Sequence, residues 1–465
     1  MTVVRDYSAL LSGESWAGKN VKNTPAVITY SFETKAQPYL KSEGGYSADA
    51  IKSWKALSTA EQKIAEQALK DWAAVAGVKF VKVAAGEGDI RFSKMDFTKT
   101  PSSGAWGFAY YPGRSGDATT SWSANIGGDA FFNTRTGFNI HTVSHEIGHA
   151  IGLKHPFEGS ITLDRSLDNR HNTVMSYTGQ GGDKPGYLDI DAAKTIYGGA
   201  VPAAGTLLSY KYAAATATLT QKWGDKASHI GGSNSKDVID GGAGNDTISG
   251  YAKNDVLKGG AGRDRIFGNE GNDTITGGSG NDTIFGGSYH GDAKGGIDTA
   301  DYSTAKRGIL ITSVSNWIGA TESKAVGADI GTDTLYDIEK FIGGSGNDTI
   351  TGTSADNYIA GGSGADVLDG GAGNDTLNGG SGADTFVFGY NAGRDRLTSF
   401  QNDTDTIRLD DDLWYSAGLL TTDQILATYC SVSAGNLVMD FGSGNTLTLV
   451  GFTNIAALAN DIEIV

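Results

Sequence analysis

Residues 145–155 read HEIGHAIGLKH and hold three of the seven histidines in the chain. His145 and His149 are four apart, so on a helix they share one face about one turn from each other. That separation suits two imidazoles holding one zinc ion at about 2.0–2.1 Å. Glu146 sits beside them, angled so that its carboxylate can reach a water on the metal. Gly152 can take the positive φ that ends a helix, and the chain can then turn back and bring His155 to the same ion. Three neutral nitrogens leave a fourth position open, which marks a catalytic rather than a closed structural site. HExxH alone arises by chance on many solvated helix faces. The glycine and third histidine at fixed offsets set this stretch apart.

Around this stretch, strands and helices mix through residue 200. AVITYSF at 26–32 alternates like a strand. Ser58 and Glu61 form a capping-box pattern ahead of a helix whose Ile64, Ala65, Ala68, Leu69 and Trp72 recur at helical spacing. Strand-like runs follow at 78–83, 89–95 and 105–111, the last closed by Pro112-Gly113, and an apolar run at 129–132. A helix is expected from about Asn139 to Leu153, and another near 189–197 ending in Gly198-Gly199. The pattern predicts an α+β or α/β domain over 1–200, followed by a linker at 201–230.

From Gly232 the texture changes to a nine-residue repeat, GGxGxDxΦx with Φ apolar. Asp237, Asp246, Asp255, Asp264, Asp273 and Asp282 are each nine apart, and the rhythm resumes at Asp348, Asn357, Asp366, Asp375 and Asp384. Glycines permit tight turns with positive φ, and the aspartate offers a hard oxygen suited to Ca²⁺. The apolar residues, among them Ile248, Leu257, Ile350 and Leu368, are expected to point inward. Stacked turns of this kind form a parallel β-roll with calcium between them. The expected blocks are 231–288 and 343–388, separated by a β insert at 289–342. Residues 389–465 are expected to form an all-β, sandwich-like cap with strands near 404–409, 436–441 and 445–452. A flexible glycine-rich linker would not hold aspartate at a fixed phase. Without cations the aligned carboxylates repel across a thin core, so folding should depend on calcium.

Composition narrows the function. The formal net charge of −16 argues against nucleic acid or an anionic membrane as partner. Cys430 is the only cysteine, which excludes an intramolecular disulfide and a cysteine zinc site and reads as a small buried hydrophobe. No run of about 18 apolar residues occurs, so no membrane span is expected. MTVVRDYSALLSGES lacks the basic and apolar parts of a secretory signal. The sequence leaves open whether any of the first 25 or so residues is an inhibitory pro-segment.

HExxHxxGxxH resembles the metzincin metallopeptidase signature. TVMSY at 173–177 is similar to the Met-containing turn of that family, with Met175 as an apolar floor and Tyr177 matching the tyrosine that reaches zinc in the serralysin and astacin branches. The C-terminal repeats resemble those of the serralysins, RTX-type bacterial metalloproteases, and the likeness covers nearly the whole chain. It implies an α+β metzincin domain with one catalytic zinc on His145, His149, His155 and Tyr177. Glu146 would then be the general base and Tyr177 the oxyanion stabiliser. It also implies a broad-specificity endopeptidase acting on extracellular proteins, with substrate extended along an edge strand near 105–111. The implied partners are extended polypeptides, a type I secretion transporter reading a C-terminal signal near DIEIV, and a small proteinaceous inhibitor. The implied state is a secreted monomer.

In the family the calcium ligands fall at positions two, four and six of each turn, the first two through carbonyls. Carried onto this sequence, they are Ser233, Ser235 and Asp237, then Gly242, Gly244 and Asp246, then Asp255. Next come Gly260, Gly262 and Asp264, then Asn269, Gly271 and Asp273, and Gly278, Gly280 and Asp282. The second block supplies Gly344, Gly346 and Asp348, then Thr353, Ala355 and Asn357, and Gly362, Gly364 and Asp366. Gly371, Gly373 and Asp375 follow, then Gly380, Gly382 and Asp384, with Glu339 and Asp395 at the block's ends. Tyr251 and Lys253 in place of glycines, and Asn357 in place of aspartate, depart from the pattern and predict weak sites. The first block reads as extra roll, the family's Arg-x-Gly-x-Thr segment is not evident around 200–215, and the spacing at 292–298 is one residue off. His141, His171, His229 and His290 fit no ligand spacing and read as surface or core histidines. Two other classes fit parts of the pattern: an RTX adhesin or toxin with structural zinc, and a processing protease of narrow specificity. The intact Glu146, with Met175 and Tyr177, favours catalysis over the first.

Overall fold

The sheet that carries the putting-together of the N-terminal half has the strand order Val78–Lys82, Ala26–Phe32, Ile90–Met95, Ala130–Asn133, Gly107–Ala109. The first four strands run parallel and the last is antiparallel at the edge. Ala26–Phe32 is buried at every residue, as expected of an inner parallel strand covered on both faces. The computed structural model describes residues 2–16, 22–42, 46–100, 104–112, 126–179, 182–200, 206–287, 296–315, 321–418 and 420–465. The chain divides into two units, 1–256 and 257–465. No helix among the described residues is long and apolar enough to cross a membrane.

The predicted helices form with their caps. Ser58 and Glu61 close the capping box, with Ser58 N donating to Glu61 Oε2 at 2.7 Å, and the helix runs Thr59–Ala73. Its Trp72 indole donates to the Ser144 carbonyl at 3.0 Å, which ties it to the helix Ile140–Ala150. That second helix is capped by Asn139 Oδ1 on Thr142 N at 2.9 Å. It stops three residues short of Leu153, because the chain turns at Gly152 with φ +97. A third helix, Tyr187–Tyr197, ends at Gly198. The edge strand is shorter than the expected 105–111, and Gly113 of the expected turn lies outside the described residues.

The expected linker at 201–230 is corrected over much of its length. Leu207–Ala213 and Thr218–Trp223 form an antiparallel hairpin, and the second strand pairs in parallel with Lys236–Asp240. The reason is period-two burial: Leu219, Gln221 and Trp223 all face inward.

In the second unit, strands pair in parallel with partners two turns away. Thr349–Thr351 lies on Val367–Asp369, and Tyr358–Ser363 on Thr376–Ser381, each in register at eighteen residues. Ile350, Ile359, Leu368 and Leu377 are at most 1% exposed. The insert supplies Ile309–Ser315, Thr321–Gly327 and Gly331–Tyr336 as an antiparallel run within one sheet. Residues 389–465 continue both sheets through Asn445–Leu449 and Ile462–Ile464. They also hold a helix, Thr422–Tyr429, where strands alone were expected; Thr421 and Gln424 form its capping box. Cys430 follows that helix and is half-buried rather than fully buried.

Candidate metal centre and cation ladder

Each of the three histidines is oriented through its Nδ1. His145 Nδ1 lies 2.8 Å from the Val174 carbonyl, His149 Nδ1 2.8 Å from the Leu153 carbonyl, and His155 Nδ1 2.6 Å from Glu158 Oε1. All three acceptors take an N–H from Nδ1, which in a neutral ring leaves the lone pair on Nε2. Those lone pairs face one another: His145 Nε2 and His149 Nε2 lie 3.2 and 3.1 Å from His155 Nε2. Ligands about 2.0–2.1 Å from one tetrahedral centre are spaced about 3.3 Å apart. Converging lone pairs repel unless a cation sits between them, so these residues fit zinc. Burial lowers the His145 pKa to about 3 and that of His149 well below its usual range, which keeps both neutral for ligation.

His155 reaches this point because the N-terminal segment braces the turn before it. Ser12 Oγ donates to the Gly152 carbonyl at 2.6 Å, and Lys154 N donates to the Leu10 carbonyl at 2.8 Å. Trp16 Nε1 donates to the Ala150 carbonyl at 2.8 Å. A Cβ at Gly152 would run into the Glu14 carbonyl. Thr2–Val4 adds a parallel pairing with Ile161–Leu163 just beyond His155.

Met175 is fully buried, and a Cβ at Gly148 would collide with its sulfur, so the helix lies directly on it. Asp189 holds the turn in place by accepting from Thr173 Oγ1 at 2.5 Å, Val174 N at 2.7 Å and Gly186 N at 2.7 Å. Burial pushes its carboxyl up to about 7. Glu146 is buried, and its Oε2 has no hydrogen-bond partner among the described residues. Burial pushes its pKa well up, opposed by the Ala109 amide. A Cβ at Gly107 would stand 2.8 Å from Glu146 Oε1, so a side chain there would displace the Glu146 carboxyl. Tyr177 is 59% exposed, with its hydroxyl 2.6 Å from His155 Nε2 and its ring stacked on His145 at 5.4 Å. Burial of the hydroxyl, then the Glu146 charge, raises its pKa to about 12. A cavity of about 320 Å³ opens beside Glu146 and Tyr177 and is also lined by Trp106, His141, Thr142 and Arg170. His141 thus sits at the site, its Nδ1 2.7 Å from the Gly182 carbonyl, while His171 and His229 are exposed. His290 lies outside the described residues.

In the repeats, the aspartates form ladders. Asp348 N donates to Asp366 Oδ1 at 2.8 Å, Asp366 N to Asp384 at 3.0 Å, and Asp375 N to Asp395 at 3.0 Å. The second oxygens of Asp282, Asp366, Asp375, Asp384 and Asp395 are buried without a hydrogen-bond partner among the described residues. A Cβ at Gly361 would strike Asp366 Oδ2 and stand 2.8 Å from the Gly379 carbonyl oxygen. Cradles lined by hard oxygens, too small for a side chain, fit Ca²⁺. Burial, with hydrogen bonds opposing it and neighbouring carboxylates adding to it, raises the pKa of Asp366 to about 6, of Asp282 and Asp375 to about 7, and of Asp395 to about 8.

Elsewhere on the ladder the second oxygen is engaged by its own turn. Asp348 Oδ2 accepts from Gly344 N at 2.7 Å, and Asn357 Oδ1 accepts from Thr353 N at 2.6 Å. Asp237 Oδ2 likewise accepts from Ser233 N at 2.7 Å, and Ser235 Oγ turns to the Glu87 carbonyl at 3.3 Å. Tyr251 and Lys253 adopt the left-handed backbone, at φ 76 and 80, a costly conformation for side chains of their size. Asp298, Asp333 and Asp405 occupy ladder positions that the repeat pattern did not reveal, accepting from Asp273 N, Asp282 N and Asp384 N at 2.8, 2.9 and 3.0 Å. Glu339 Oε2 accepts from Asp298 N at 2.8 Å. Residues 292–295 of the irregular turn lie outside the described residues.

Comparison with known proteins agrees with both halves. Residues 45–177 match the matrixin family. Residues 231–288 and 331–386 match the RTX calcium-binding nonapeptide repeat in overlapping copies. Serralysin A and serralysin G of Dickeya chrysanthemi are 29% and 30% identical over 202 and 205 residues, each covering 40% of this chain. Serralysin of Proteus mirabilis is 28% identical over 218 residues. The chain spans 41–42% of the length of these curated relatives. The chain thus joins a matrixin match that brings three histidines to one point with RTX calcium-binding repeats, and it is similar to serralysins over 40% of its length.

Proposed function

We propose that the chain is a secreted zinc endopeptidase that cuts extracellular polypeptides of varied sequence, stabilised by its calcium-binding repeats. One observation carries this reading: three imidazole Nε2 atoms converge, with contacts of 3.1 and 3.2 Å, beside a buried Glu146 oxygen that has no partner among the described residues. Zinc bound by His145, His149 and His155 would lower the pKa of a water from 15.7 to about 7 and polarise a peptide carbonyl. Glu146 takes the water's proton on its carboxylate and delivers it to the leaving amine. Its burial, which favours the protonated form, suits that relay. Tyr177, with its hydroxyl pKa near 12, stays protonated at neutral pH and donates to the carbonyl oxygen as that oxygen gains negative charge. The edge strand Gly107–Ala109 offers backbone groups for an extended substrate, and such pairing ignores most side chains.

On this reading 1–200 is the peptidase domain, and 231–288 and 343–388 are the calcium blocks. Calcium is best supported where Asp282, Asp366, Asp375, Asp384 and Asp395 keep an oxygen without a hydrogen-bond partner among the described residues. A type I transporter reading the C-terminal residues would export the chain while low calcium keeps the repeats unfolded, and the mature protein would act as a monomer. Glu146→Ala should retain zinc and lose nearly all hydrolysis of casein; an unimpaired rate would refute the assigned base. Cleavage sites read by mass spectrometry after digestion of a protein mixture should be many and varied. A single recurring sequence would instead indicate a processing enzyme.

A further inference from the structure

The cavity beside Glu146 contains an arginine that forms no ion pair among the described residues. Arg170 is half-buried on its wall, and its Nε is enclosed with no hydrogen-bond partner among the described residues. No ion pair of its guanidinium with a described carboxylate occurs. Its backbone is held, with Arg170 N donating to the Thr178 carbonyl at 2.9 Å and its carbonyl packed against Gly182. The other titratable groups on the wall are His141, His145, Glu146 and Tyr177. His141 is turned by its Nδ1 contact to the Gly182 carbonyl, and the remaining three belong to the reaction centre. An enclosed guanidinium N–H without an acceptor is costly, and a carboxylate answers a guanidinium with two parallel charge-assisted hydrogen bonds.

The cavity's place identifies which part of the substrate it takes. Glu146 lines it and, in the reading above, hands a proton to the leaving amine. The side chain nearest the cavity is therefore that of the residue contributing that amine. We infer that this cavity selects an acidic side chain, Asp or Glu, on the residue immediately following the cut, with Arg170 as the specificity-determining group. Its volume of about 320 Å³ accommodates either side chain, with Trp106, 58% exposed, at its rim. Cleavage stays broad because the other substrate positions are held through backbone, while the position after the cut is graded by charge. This inference rests on the endopeptidase reading and deepens it.

The test uses the full chain with zinc and calcium on paired fluorogenic peptides that differ only in Asp or Asn after the scissile bond. The wild type should favour Asp in kcat/KM on the order of ten- to a hundred-fold, the range expected when an enclosed charged group gains or loses its partner. Arg170→Gln should bring that ratio close to one. Arg170→Lys, which keeps the charge but not the fork, should fall between. A wild-type ratio near one, or a ratio unchanged in Arg170→Gln, overturns the assignment while leaving the peptidase reading intact. The wild-type ratio decides the matter alone should Arg170→Gln fail to fold. Failure to cut any peptide would sink the peptidase reading itself, and this inference with it.

Discussion

Glu158 offers a direct measure of how the third histidine is held. His145 and His149 give their Nδ1 hydrogens to backbone carbonyls, which substitution leaves in place, whereas His155 uses the Glu158 side chain at 2.6 Å. Glu158→Ala would remove that acceptor, free the ring to rotate, and withdraw a negative charge from beside a cation site. Losing such an outer partner costs about 10- to 100-fold in metal affinity. Glu158 is 44% exposed, so water partly replaces the carboxylate, and the loss should lie near tenfold, about 1.4 kcal/mol. Glu158→Gln keeps an acceptor without the charge and should lose less. Competition with a fluorescent zinc chelator at pH 7 measures the affinity, and circular dichroism at saturating zinc checks the fold. A zinc dissociation constant unchanged in Glu158→Ala would show that the turn alone positions His155 and would refute the role of this contact.

Three further outcomes are expected. Tyr177→Phe should lower kcat far more than it raises KM, because its hydroxyl acts on charge that develops during reaction; a change confined to KM would remove that role. Gly148→Ala should lower thermal stability and activity together, since its methyl would enter the space of the Met175 sulfur; a melting temperature equal to wild type would contradict that packing. In the calcium-free repeats, Asp282, Asp366, Asp375 and Asp395 have folded pKa values of about 6 to 8, above their unfolded values near 3.9. They contribute stability below about pH 4 that is lost as pH rises through about 8. The calcium-free protein should therefore melt lower at pH 8 than at pH 5, and saturating calcium should reverse that order. Identical calcium-free melts at the two pH values would contradict the raised pKa of these buried carboxyls.

The metal centre was legible to the extent that its parts are neighbours in the chain. The four-residue spacing of His145 and His149 becomes a shared face through helix pitch alone, and Gly152 announces the turn that returns His155. The apolar phase of Ile350, Ile359, Leu368 and Leu377 likewise needs only the nine-residue period. The hairpin at 207–223 carried its signal in the alternation of Leu219, Gln221 and Trp223, but its polar, small-residue texture resembled a linker. Asp298, Asp333 and Asp405 escaped because they accept from amides 25, 51 and 21 residues away, outside the regular eighteen-residue step.

Local chain geometry by itself determined the three-histidine cluster, the glutamate beside it and the nine-residue repeat, because helix pitch and turn period act between residues close in sequence. Only the tertiary structure decided what aims and surrounds those groups: Ser12 and Trp16 behind the Gly152 turn, Asp189 beneath Val174, Gly107 against Glu146, and Arg170 on the wall of the cavity. These contacts join segments up to 140 residues apart. Their partners are chosen by packing and by the need of buried polar groups for hydrogen bonds, which no spacing in the sequence encodes.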